Sequence, residues 1–220
     1  AAADAAAEQA ATNATAALVN AIDAIEGDIA SQALASEANK TVAQAQSTLA
    51  ADTYDTAATA NDVKGRLAAV IADMQTWHGS HTALGTTTLS PLSTLITKAG
   101  QLDALASAKA AAAATAAGLV ADADTAIDLK VTEVGVLSAD PTPDGTDVVT
   151  AQGYRTSAAA QAQIAANQTA IAKAAAQAVL QVQANVSAIE TGFANFKAQV
   201  GETIKAANAV AVKTAETNAA

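Results

Sequence analysis

Large apolar residues recur at alternating steps of three and four along most of this chain. In the last third they fall at Ile164, Ile171, Val182, Val186, Ile189, Phe193, Phe196 and Val200, with Gln168, Ala175 and Ala178 between them. Earlier they fall at Leu18, Ile22, Ile25 and Ile29, and again at Val63, Leu67, Val70, Met74 and Trp77. The middle of the chain gives Leu92, Leu95, Ala99 and Leu102, then a weak Ala stretch, then Ile127, Val131, Val134 and Leu137. This spacing is the seam of a coiled coil. Alternating strand patterns are nearly absent.

Breakers divide the pattern. Residues 1–76 contain no Pro and two Gly, and predict one long helical segment. A loop is expected over 77–91, because Gly79, Gly85 and a Thr run interrupt the pattern. Pro91 suits the first turn of a second helix, with Ser90 as its cap, over 92–138. The segment 138–147, with Pro141, Pro143 and Gly145, is the strongest turn signal. A last helix is expected over 148–218. Within the first segment the stripe loses phase between Gly27 and Lys40, so a break at 27–40 would give four helices, near 1–35, 40–76, 92–138 and 148–218. The expected fold is therefore all-α: an elongated antiparallel bundle, or coiled-coil-like rod, of three to four long Ala-rich helices forming a single domain over 1–220. At 1.5 Å per residue, a 92–138 helix would run roughly 70 Å.

Composition sharpens this. Ala supplies 67 of the 220 residues, and Ala is the best helix former. Alanine seams bury little area each, and so require close helix approach. Cysteine is absent, which removes disulfides, thiolate metal sites and cysteine nucleophiles. The formal charge is −10 with two Arg, Arg66 and Arg155. That disfavours nucleic acid and anionic membranes as partners. No membrane span is expected, since no run of 18 large apolar residues occurs. The start at Ala1-Ala2-Ala3 is compatible with removal of a leader before small residues, which would place the protein outside the cell or at its surface.

Between Thr156 and Ile189 the only charged residue is Lys173. An uncharged helix surface reads as a contact face, and Ala158, Ala162, Ala166, Thr169, Ala174 and Gln177 are its candidate self-assembly residues. Four Asn-x-Ser/Thr triplets make Asn13, Asn39, Asn167 and Asn185 possible glycan acceptors. His78 and His81, with Asp73 nearby, have metal-ligand chemistry but lack a firm third ligand. Asp122, Asp124 and Asp128 form an acidic patch. Asp140, Asp144 and Asp147 surround the Pro-rich turn without the spacing of a helix–loop–helix calcium site. Trp77 is expected to close the end of the bundle, and Phe193 and Phe196 to sit on the seam. No nucleophile, phosphate-loop or dinucleotide motif is present, so no catalytic, cofactor or metal residue is assigned.

In composition the chain resembles the helical rods of flagellins, the Ala-rich phasins that coat polyester granules, and long alanine-rich antifreeze bundles. No motif carries a residue over from any of them. The expected role is a non-enzymatic structural subunit of an extracellular filament, coat or surface layer, self-associating into a homo-oligomer or polymer through charge-poor faces. A helical module binding a lipid or other apolar ligand is the alternative, followed by a surface-coating or ice-binding helix.

Overall fold

A computed structural model describes residues 2–56 and 62–218, without the side chains of 215–218. Four long helices follow one another: α1 (Ala2–Tyr54), α2 (Val63–Ser80), α3 (Gly85–Ser138) and α4 (Gly145–Asn218), with a 3-10 turn at Thr82–Leu84 before α3. No strand occurs among the described residues. The fold is all-α and consistent with an antiparallel helical bundle.

The chain divides into two compact units. Unit 1 comprises Ala1–Thr48 and Ala112–Ala176, and unit 2 comprises Leu49–Ala111 and Gln177–Ala220.

In unit 1, α1 and α4 run parallel to each other and antiparallel to α3. Ser138 donates to Asp23 (2.8 Å) and Lys40 to Asp124 (2.9 Å), so α1 and α3 numbers run oppositely. Arg155 reaches Asp28 (3.4 Å) and Thr169 reaches the Asn39 carbonyl (3.3 Å), so α1 and α4 numbers rise together. One apolar cluster joins Ile22, Ile25, Ile29, Ile127, Val134, Ala151 and Ala158. Another joins Ala43, Ala116, Ala117, Val120, Ala123, Ala165 and Ala172. The second is alanine apart from Val120, so its stability rests on close packing rather than on large buried side chains.

In unit 2, Arg66 of α2 clasps Glu190 of α4 with Nε and Nη2 (3.0 and 2.7 Å). Val63, Leu67, Val70 and Met74 are buried on α2, Leu89, Leu92, Ala99 and Leu102 on α3, and Val182, Val186, Ile189, Phe193, Phe196 and Val200 on α4. Apart from Leu89, which falls in the expected loop, these are expected seam positions, while Leu95 of that seam is only half-buried. A Cβ built on Gly192 would lie 3.4 Å from Leu95 Cδ2, so α4 comes close to α3 there.

Three boundaries differ from the sequence expectations. First, α1 continues unbroken through 27–40. The loss of phase there reflects a change in what is buried, because Ser36, Ala43 and Ala50 carry the seam onward at steps of seven. Second, α1 ends at Tyr54, so the expected helix over 1–76 is interrupted. Residues 57–61 of that expectation, and residue 1, lie outside the described residues. Asp62 starts α2: its Oδ1 accepts from Gly65 N (2.6 Å), a side-chain cap satisfying an otherwise orphan donor. Third, the expected loop over 77–91 shrinks. Helix α2 reaches Ser80 and α3 begins at Gly85, so Pro91 lies inside α3. Starting earlier buries Leu89 (4% exposed) one turn before Leu92. That burial offsets the hydrogen bond Pro91 cannot donate. Gly85 takes φ +80°, the one positive φ among the described residues, a conformation glycine adopts without a Cβ penalty.

The Pro-rich turn is where it was expected. Asp144 caps α4, with Oδ1 accepting from Thr146 N (2.6 Å) and Asp147 N (3.2 Å), while Asp147 Oδ2 accepts from Asp144 N (2.8 Å). This is a reciprocal capping box.

Candidate functional site

The seam positions of α4 decide what its other faces can do. In unit 1 the inward line of α4 is Ala151, Ala158, Ala165, Thr169, Ala172 and Ala176, all buried. The sequence reading favours Ile164 and Ile171 instead, because large side chains usually mark the core. The structure leaves these two 42% and 47% exposed. Small side chains let α4 sit close to α1 and α3 along this stretch.

The candidate assembly residues therefore separate. Ala158 and Thr169 belong to the interior of unit 1 and form no outer face. Ala162 is half-buried. Ala166 and Ala174 are exposed in unit 1, and Gln177 is exposed in unit 2. The outer surface of α4 in unit 1 thus offers Ile164, Ala166, Ile171 and Ala174 with Lys173 as the one charge after Arg155. The exposed isoleucines were missed as surface residues. The one available signal was the alanine heptad 151, 158, 165, 172, which runs alongside them.

The possible glycan acceptors all lie within helices. Asn13 and Asn167 are exposed, with their side-chain oxygens accepting from Gln9 and Gln163 one turn earlier (2.9 Å each). Asn39 and Asn185 are half-buried, and the Asn39 carbonyl is engaged by Thr169.

Unit 1 also buries a group of polar side chains that the sequence did not reveal. Ser36 (0% exposed), Asp124 (2%) and Thr169 (3%) come from α1, α3 and α4. Lys40 Nζ lies 2.9 Å from Asp124 Oδ2 and 3.0 Å from Glu37 Oε2. Thr169 Oγ1 shares its proton between the Ala165 carbonyl (2.8 Å) and the Asn39 carbonyl (3.3 Å). Burial works to raise the Asp124 carboxyl, but the Lys40 hydrogen bond, supported by Ser36 and Glu37, holds it below the usual range. The same pairing raises Lys40. Asp122 and Asp128 point to solvent, so the three-carboxylate patch read from the sequence does not assemble.

The histidines lie at the end of α2 in unit 2. The His81 ring stacks on Trp77 (3.9 Å between centroids, 8° between planes), and its Nδ1 lies 2.8 Å from the Trp77 carbonyl oxygen. Trp77 meets Phe196 edge-on at 5.2 Å. Among the described residues no group of three His, Cys, Asp or Glu side chains is placed to hold a metal ion. His78 borders a cleft of about 430 Å³ with Gln75, Gly79, Ser93, Ile96 and Thr97. The clefts at Ser90–Gln101 and Ala11–Asn20 are each lined by a single helix, so they are grooves on its surface rather than chambers. By length and composition alone, the stretch Thr82–Ser138 is long and apolar enough to cross a membrane.

No protein-family model, curated protein or solved structure matches this chain.

Proposed function

We propose that this chain is a non-enzymatic structural subunit that self-associates through the charge-poor outer surface of α4, as in an extracellular filament, coat or surface layer. One observation carries the reading: Ile164 and Ile171 stand exposed on a helix surface that bears a single charge between Thr156 and Ala176. Exposed apolar side chains on an uncharged face favour burial against another surface.

The test is light scattering coupled to size-exclusion chromatography across a concentration series. The wild type is expected to gain mass with concentration, while Ala166→Glu and Ala174→Glu remain smaller. A charge buried unpaired in an interface is strongly opposed, so either variant should weaken association at least tenfold. A wild type that stays at 21.5 kDa throughout, or variants that assemble unchanged, rejects this interface.

A second reading rests on α3, where Leu119, Leu129 and Val136 are exposed at 42%, 54% and 69% in unit 1. These suit an apolar ligand or lipid surface. Stoichiometric uptake of a fluorescent fatty acid by the wild type would favour it over self-association.

A further inference from the structure

We propose that the groove between α3 and α4 of unit 1 takes the N-terminal arm of α1, Ala2–Ala17, from a second copy of this chain. The inference rests on the reading of α4 as an association surface and names what covers it.

Thr169 and Asp124 turn towards α1, meeting the Asn39 carbonyl and Lys40. Ile164 stands five residues before Thr169, and Leu119 five before Asp124. Each is therefore rotated about 140° from the α1 side of its helix. Ala116 and Ala123 pack with Ala165 and Ala172, which sets Leu119 level with Ile164 and Ile171. The three flank one groove between α3 and α4, and stay 42%, 42% and 47% exposed. On α4 this edge runs Ile164, Gln168, Ile171 and Ala175, at steps of four, three and four. That is the spacing of a seam, and a seam packs against another helix.

The chain itself carries a helical stretch with no seat. Every residue of Ala2–Ala17 is exposed. Arg155 at Asp28 sets Gly145, the start of α4, level with Leu18, and Ser138 at Asp23 sets the end of α3 close by. The arm thus extends past both neighbours. No Gly or Pro precedes Gly27, so nothing kinks the arm back onto the groove of its own copy. An alanine-rich helix of this length is marginal alone in water. The arm has an apolar line of its own, Ala3, Ala7, Ala10, Ala14 and Ala17, with the same steps of four and three. Such small side chains permit close approach to the groove. The 16 residues of the arm span roughly 24 Å, the length of α4 from Gln161 to Ala176. An arm on one surface and a groove on another make a heterologous contact, which propagates from copy to copy instead of closing a two-fold dimer.

Mixing two variants tests this. A chain lacking residues 1–17 keeps the groove and loses the arm. Ile171→Glu keeps the arm and places an unpaired charge in the groove. Neither change touches a buried residue, so both should keep the helical circular dichroism of the wild type. Each alone is expected to stay at single-chain mass by light scattering, and an equimolar mixture to form a one-to-one complex that grows no further. Ala10→Pro, which breaks the arm as a helix, should behave as the truncated chain does. If the truncated chain gains mass with concentration as the wild type does, or the mixture stays at single-chain mass, the arm-in-groove contact is overturned while association through α4 stands. A wild type that stays monomeric removes both.

Discussion

Single side chains set where helices begin more firmly than the apolar rhythm does. Asp62 is buried and uses both carboxylate oxygens: Oδ1 caps Gly65 N, and Oδ2 accepts from Thr56 N (3.1 Å) after the end of α1. It therefore joins the last residues of one element to the first turn of the next. Asp62→Ala should cost about 1–2 kcal/mol, the upper range for a lost cap because a second bond goes with it. Asp62→Asn keeps an oxygen at the cap and should cost less than half of that. Urea unfolding midpoints of the two variants decide the matter, and equal midpoints would reject the capping role. This signal was legible in the sequence, because Asp62 directly precedes the apolar residues Val63 and Leu67. The uninterrupted Ala-rich composition on either side obscured it. By contrast, the inward turn of Asp124 was not legible. It has the same local sequence character as Asp122 and Asp128, and only the packing of α1 against α3 sets it apart.

Among whole elements, legibility followed side-chain size. In unit 2 the seams carry Leu, Met, Val, Ile and Phe, and the rhythm identified nearly all of them. In unit 1 the seam of α4 is alanine, and alanine also covers its surface, so period alone could not tell inside from outside. The phase loss in α1 has the same origin, since Ser36, Ala43 and Ala50 are seam residues without the usual size. The ion pair that crosses this region makes a pH-dependent prediction. Asp124 has a lowered pKa in the folded chain. Its contribution is therefore complete above the unfolded value near 3.9 and is lost as pH falls through the folded value. Lys40 is raised, so its contribution persists until pH climbs through its own elevated value. Glu37 from α1 is the other charged partner at this pair. Asp124→Asn should lower Tm at pH 6, and the gap to the wild type should close as pH falls below about 4. A gap of constant size from pH 6 to pH 2 would show that the ionised carboxylate adds nothing to folding.

For the molecule in its entirety, the balance of charge and exposed apolar surface governs how copies meet. The chain carries 21 acidic and 11 basic residues, a formal charge of −10, so copies repel at long range. The outer surface of α4 in unit 1 carries almost none of that charge, and its contact would be made by Ile164, Ile171 and the alanines around them. These two terms respond oppositely to salt. Ionic strength screens the repulsion, with a Debye length falling from about 30 Å at 0.01 M to about 10 Å at 0.1 M, and leaves apolar burial intact. Self-association through this face should therefore strengthen as sodium chloride rises from 0.01 to 0.5 M. Sedimentation equilibrium at fixed protein concentration measures it directly. Association held by ion pairs, such as ones made by Glu202 or Lys205 at the exposed end of α4, would weaken over the same range. Mass that falls with salt would thus move the interface from the uncharged surface of α4 to its charged residues, while mass that rises in the wild type and not in Ala166→Glu would place it on the uncharged one.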